Sequence, residues 1–126
     1  MTRFWWALGF TLVGIALFLC LVPNQTLPRG FDLNDKLTHA LGHAALSAYF
    51  TGLVARRKWW KIFILLLAFG VTVELLQHHM DLGRHGDARD VLANSAGDLL
   101  GLVLGWLGLS NWPRWMDRLI GARKAT

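Results

Sequence analysis

Residues 4–22 read FWWALGFTLVGIALFLCLV and carry no charged side chain over nineteen positions. A helix rises about 1.5 Å per residue, so about 20 apolar residues cross a hydrocarbon core of roughly 30 Å. The run is followed by Pro23 and lacks the small-residue cleavage site of a secretory signal. The stretch therefore predicts a membrane-spanning helix that is not cleaved off.

Three further stretches of nineteen residues suit helices of the same length, at 37–55, 59–77 and 91–109. The 126-residue chain is 54% hydrophobic and only 17% charged, whereas soluble domains carry about a quarter charged residues. These features predict one domain over residues 1–126, an all-α membrane protein with a bundle of four transmembrane helices. Cys20 is the only cysteine, which excludes a disulfide scaffold.

The distribution of lysine and arginine predicts which ends of the spans face the cytoplasm. Nine of the 13 basic residues lie before the first span, between the second and third, at the start of the third, or after the fourth: Arg3, Arg56, Arg57, Lys58, Lys61, Arg114, Arg118, Arg123 and Lys124. The other four are Arg29, Lys36, Arg84 and Arg89. The seven tryptophans also lie at or near the more basic side. We therefore expect both termini to be cytoplasmic, and no surface suited to nucleic acid.

The segment after the fourth span alternates apolar and charged residues at helical spacing. Its apolar positions are Trp112, Trp115, Met116, Leu119 and Ile120, with arginines and an aspartate between them. Pro113 suits the first turn of a helix. This pattern predicts a short C-terminal helix that lies in the membrane interface.

Polar residues recur at three- and four-residue spacing near one end of the last three spans, so each set lies along one face of its helix. The sets are Asp35, His39 and His43 in the second helix, Glu74, Gln77 and His78 in the third, and Asp90, Asn94 and Asp98 in the fourth. A carboxylate that faces lipid costs at least about 2.5 kcal/mol. We therefore expect the three polar faces to converge inside the bundle, next to the loop that carries Arg84 and Asp87.

Three glycines of the fourth helix, Gly97, Gly101 and Gly105, stand at every fourth position. Small residues at this spacing let another helix approach closely in a membrane. The pattern predicts a packing surface beside the polar face of the same helix. Its partner is either another helix of this chain or a second copy, and the oligomeric state stays open.

Several short motifs occur in a fixed order: Asp35-Lys36-Leu37-Thr38-His39, Glu74-Leu75-Leu76-Gln77, and then Arg84, Asp87, Asp90, Asn94, Gly97 and Gly101. This ordered combination resembles the VanZ-like family over roughly residues 33–108. The resemblance carries site roles over to Asp35, Lys36, His39, Glu74, Gln77, Arg84, Asp87, Asp90 and Asn94. His43 departs from the family pattern, which usually has tyrosine there, and Asp98 has no counterpart in it.

The resemblance implies a small multi-pass protein of the bacterial inner membrane. The namesake of the family is associated with low-level resistance to the glycopeptide teicoplanin, which is a phenotype and names no reaction. The first functional hypothesis is therefore a binding protein for an anionic envelope lipid, such as a lipid-linked phosphate or a cell-wall precursor. Lys36 and Arg84 would contact the phosphate, because guanidinium and ammonium groups form charge-assisted hydrogen bonds with it.

Three alternatives stand beside lipid binding. One is a membrane hydrolase or transferase for a lipid-linked substrate, with His39 as general base and Glu74 or Asp90 as its orienting carboxylate. Another is a polar network that only ties the helices together. The least favoured is a metal site formed by His39, His43 and His78, because Lys36 and Arg84 nearby would repel a cation. We expect no cofactor.

Overall fold

The computed structural model describes residues 2–21, 35–80 and 88–124, and these residues are almost entirely helical with no strand among them. The five α-helices are α1 (Thr2–Leu21), α2 (Asp35–Thr51), α3 (Trp59–Met80), α4 (Ala88–Trp106) and α5 (Trp112–Lys124). Single 3₁₀ turns, Arg56–Lys58 and Leu109–Asn111, precede α3 and α5. The expected all-α fold is confirmed.

Two described helices, α1 and α3, are long and apolar enough to cross a membrane. The pair formed by α4 and α5 also qualifies if it counts as one span, although the two are bent by 70° against each other. Helix α2 differs, because it has only 17 residues and buries histidine, serine and threonine side chains. The structure therefore supports two or three apolar spans of the four that the sequence predicts.

Two of the predicted helices end earlier than expected. Helix α2 ends at Thr51, not at residue 55, because the chain turns at Gly52, whose N–H donates to the carbonyl of Tyr49 at 3.1 Å. Helix α4 ends at Trp106, not at residue 109, and Gly108 adopts a φ of 131°. Glycine takes such a φ without a steric penalty. Both ends are set by turns inside uninterrupted apolar runs.

Helices α2 and α4 run parallel and pack along the three regularly spaced glycines. A Cβ atom on Gly97 would collide with the backbone carbonyl of Ala40, and one on Gly101 would lie 2.5 Å from the carbonyl oxygen of Ala44. Gly105 lies in the same way against Thr51. The structure thus places this surface inside the chain, between α2 and α4.

A small apolar cluster joins the C-terminal half of α2 to the N-terminal half of α3. Leu46 and Phe50 of α2 pack with Ile62 and Leu66 of α3, and residues of α1 contact this cluster. The opposite surfaces of α1 and α3 expose large apolar side chains, among them Phe10, which is 66% exposed. An apolar outer surface of this kind suits contact with lipid.

Aromatic residues hold the start of α5 against α1 and α2. The indole N–H of Trp112 donates to the carbonyl of Tyr49 at 2.9 Å, and the Tyr49 hydroxyl donates to the carbonyl of Trp5 at 2.7 Å. Trp112 also stacks on Tyr49 with ring centroids 4.7 Å apart. Trp5 is buried, with 6% exposure, so it packs inside the protein although its sequence position suggests an anchor in lipid.

Candidate functional site

Helices α2, α3 and α4 bury polar side chains at the end of the protein where α2 and α4 begin and α3 ends, which we call the polar end. The buried residues at this end are His39, His43, Glu74, Gln77, Asp90, Asn94 and Asp98. The buried polar residues that the structure describes include no lysine or arginine. The interior at this end is therefore rich in hydrogen-bond acceptors and in carboxyl groups.

A hydrogen bond between two side chains of this group joins α2 and α4. His43 Nδ1 of α2 lies 2.8 Å from Asp98 Oδ1 of α4, and Asp98 has 0% exposure. A carboxylate can only accept a hydrogen bond, so an ionised Asp98 would need the proton of His43 to be on Nδ1. One turn further along α2, the Ser47 hydroxyl donates to the backbone carbonyl of Asp98 at 2.8 Å. Two hydrogen bonds thus fix the register of α2 against α4 beside the glycines.

Helix α3 packs closely against His43 and Asn94 at Gly70. A Cβ atom on Gly70 would lie 3.1 Å from Asn94 Nδ2 and 3.3 Å from His43 Cε1. The absence of a side chain at Gly70 lets the imidazole and the amide share one level of the bundle. Asp98 Oδ2 and Asn94 Oδ1 are buried and accept no hydrogen bond from any residue that the structure describes. This part of the interior can accept hydrogen bonds from a donor group.

His39, Glu74 and Asp90 lie one turn closer to the polar end on their own helices. His39 is four residues from His43, Glu74 is four residues from Gly70, and Asp90 is four residues from Asn94. The two members of each pair therefore lie on the same face of their helix. All three side chains are buried. The polar interior therefore extends over at least two helical turns from Asp98 toward that end.

Gln77 connects the polar end to α1. Its Nε2 donates to the carbonyl oxygen of Cys20 at 2.7 Å. The last carbonyls of a helix have no partner within the helix, so this bond satisfies one of them. The structure thus places Gln77, a predicted binding residue, in a bond that holds two helices together.

We expect Gln77→Met to lower the free energy of unfolding by about 1 kcal/mol, because the Cys20 carbonyl loses its donor while the side-chain volume is kept. Thr72→Val is the matched control, since the exposed Thr72 hydroxyl bonds only to Ala68 of its own helix. Unfolding in mixed micelles at increasing sodium dodecyl sulfate concentration measures both. Equal midpoints for the two variants would contradict the bridging role of Gln77.

Of the remaining predicted site residues, four have side chains that lie outside the described residues, and His78 is exposed. Arg84 and Asp87 lie outside the described residues, as do the side chains of Asp35 and Lys36. His78 is exposed, unlike its predicted metal-site partners His39 and His43. Within residues 2–21, 35–80 and 88–124, no group of three histidine, cysteine, aspartate or glutamate side chains could hold a metal ion.

Asp98 is not among the site residues that the family resemblance predicts. It belongs to the polar face predicted on α4, but it has no counterpart in the family motif. His43 is the other departure from that motif, and the structure shows the two departures in contact. Two unusual polar residues on facing helices are the signal that could have found the pair from the sequence.

The described residues form helices and no strand, two or three of these helices are apolar enough to cross a membrane, and three helices bury polar side chains at one end. The family model of VanZ/LLP1 matches residues 21–109. The chain belongs to this family, and the resemblance that the sequence motifs indicate is confirmed. No curated protein and no solved structure matches the chain significantly.

Proposed function

We propose that this VanZ/LLP1 family member is a four-span protein of the bacterial inner membrane that binds an anionic envelope lipid or a cell-wall precursor at its polar end. Both termini face the cytoplasm, and the polar end faces outward. The observation that carries the proposal is the burial of polar side chains from three helices at one end. Ionisable groups inside a membrane protein are costly and commonly serve function.

The chemistry of binding follows from the charges at this end. Arg89 stands in the first turn of α4 with its side chain exposed, and Asp90 beside it is buried. With Lys36 and Arg84, Arg89 would offer cations to a phosphate, and a guanidinium can contact two of its oxygens at once. The carboxylates of Glu74 and Asp90 would orient these cations.

The test is the retention of a lipid-linked phosphate by the full-length protein in detergent, measured by native mass spectrometry with a polyprenyl phosphate as the probe. We expect Arg84→Ala to weaken retention about tenfold or more, because it removes a charge-assisted contact. Arg118→Ala is the control, since it removes an exposed arginine of α5. Unchanged retention in a folded Arg84→Ala protein would overturn the proposal.

The hydrogen bond between His43 and Asp98 favours catalysis as a second candidate function, because a carboxylate that holds an imidazole is typical of a general base. In that case His39 or His43 would act on a lipid-linked substrate. Accumulation of an unprocessed lipid in His39→Ala or His43→Ala cells, but not in wild-type cells, would support a hydrolase or transferase. Retention that depends on Arg84 and survives both histidine substitutions supports binding alone.

An effect on glycopeptide susceptibility belongs to the same proposal. A protein that holds a cell-wall precursor at the outer leaflet would compete with a drug that binds the same precursor. Deletion of the gene would then change the teicoplanin concentration that inhibits growth, and a copy carrying Arg84→Ala would fail to restore it.

A further inference from the structure

A cavity of about 410 Å³ lies at the end of the protein opposite to the buried polar residues. Its wall is formed by the end of α2, the start of α3, the end of α4 and the turn into α5. The lining residues that matter here are Arg56, Arg114, Trp59, Trp106, Ser110 and Asn111. None of these residues belongs to the site proposed above.

Arg56 is held in place by two tryptophans. Its guanidinium carbon lies 5.4 Å from the centroid of the Trp59 ring and 6.0 Å from that of Trp106. Its Nη2 donates to the carbonyl oxygen of Trp106, at the end of α4, at 3.4 Å. An arginine has five N–H donors, so most of them stay available to a ligand. The aromatic contacts reduce the entropy that Arg56 would lose on binding.

The cavity is positively charged. Arg56 and Arg114 both line it, and Ser110 and Asn111 add neutral hydrogen-bonding groups. Arg57, Lys58 and Lys61 follow Arg56 in sequence, whereas Asp117 is the only acidic residue after Asp98. A ligand of this cavity is therefore an anion, and two guanidinium groups with hydroxyl and amide donors suit the oxygens of a phosphate.

The position of the cavity indicates a ligand at the membrane surface. Trp106 is 64% exposed, and tryptophans are enriched where lipid headgroups begin. Helix α5, which is bent by 70° against α4, follows and exposes Trp115, Met116 and Leu119 between charged residues. An amphipathic helix of this kind lies in the plane of the interface. The opening of the cavity is therefore at the depth of the headgroups.

The geometry points to a second binding site, in which Arg114 and the tryptophan-flanked Arg56 hold the phosphate of an anionic phospholipid. The distribution of basic residues puts this site in the cytoplasmic leaflet, where basic pockets between helices bind anionic headgroups. The ligand chemistry is a phosphate ester, supplied either by a lipid or by a soluble phosphoester. The site is separate from the outer one, and it shares with the proposed function only the orientation of the chain in the membrane.

Native mass spectrometry of the full-length protein, titrated with phosphatidylglycerol or phosphatidylcholine, tests the site. We expect preferential binding of phosphatidylglycerol by the wild type. The double variant Arg56→Gln, Arg114→Gln should weaken that binding about tenfold or more. The control double variant Arg57→Gln, Arg118→Gln removes the same charge at the same end from side chains outside the cavity, and should weaken binding less than about threefold.

One further variant and a competitor complete the test. Arg114→Gln leaves Arg56 and its tryptophan contacts intact, so it reports on binding if the double variant does not fold. Competition with glycerol phosphate distinguishes the sources: displacement at equal concentration identifies a soluble phosphoester as sufficient, and failure to displace identifies the lipid.

Either of two results would overturn the second site. One is equal binding of phosphatidylglycerol and phosphatidylcholine by the wild type. The other is an equal loss of affinity in the cavity variant and in its charge-matched control, which would mean that net charge alone attracts the lipid.

Discussion

Gly97→Ala is expected to lower the free energy of unfolding by about 2 kcal/mol, because the new methyl group would overlap the backbone carbonyl of Ala40 on the facing helix. A backbone atom cannot rotate away as a flexible side chain can. Helices α2 and α4 would have to separate, and the bond between His43 and Asp98 would lengthen with them. Unfolding in mixed micelles at increasing sodium dodecyl sulfate concentration measures the loss.

Gly42→Ala is the matched control for this prediction. Gly42 also lies inside a helix, but a Cβ atom there would meet nothing within 4 Å. Alanine favours a helix over glycine by about 1 kcal/mol, so we expect Gly42→Ala to be neutral or stabilising. A Gly97→Ala protein as stable as Gly42→Ala would show that α2 and α4 do not pack through this glycine.

Asp98→Ala is the second large effect, with an expected loss of about 3 kcal/mol. It leaves the buried imidazole of His43 without its partner, and breaking one side of a buried polar pair costs far more than losing an exposed contact. Ser95→Ala is the control on the same helix, because the Ser95 hydroxyl bonds only to Val91 one turn away. We expect that control to change stability by less than about 0.5 kcal/mol.

A double-mutant cycle separates the pair from other effects of Asp98. If the two side chains act together, His43→Ala, Asp98→Ala should be less destabilised than the sum of the single variants, with a coupling energy of about 1 kcal/mol or more. Asp98→Asn keeps an acceptor for the Nδ1 proton and should fall between wild type and Asp98→Ala. Additive single variants would contradict a direct interaction.

The helices were predictable because hydrophobicity over nineteen residues is a local property. The errors occur at helix ends, where the turn at Gly52 and the positive φ of Gly108 interrupt runs that stay apolar to residues 55 and 109. The second helix also shows a limit of the span prediction. Its absence of charge suggests a transmembrane helix, but its polar face makes it depend on α4 for burial.

The candidate site was predictable in part. Four-residue spacing places His39 with His43, and Asp90 with Asn94 and Asp98, on one face of each helix, and the structure buries all five. The pairing of His43 with Asp98 was not predictable, because 55 positions separate them in sequence. The cavity beside Arg56 was missed for a similar reason, since the bend between α4 and α5 creates it.

The sequence alone determined that this protein is helical, apolar on its outer surface, polar along one face of three helices and a member of the VanZ/LLP1 family. These properties depend on composition, on spacing along single helices and on ordered motifs. Only the tertiary structure decided that the glycines of α4 contact α2, that His43 meets Asp98, and that Arg56 and Arg114 share a cavity. Spacing specifies which face of a helix is polar or small, whereas the partner of that face depends on how closely two backbones can approach.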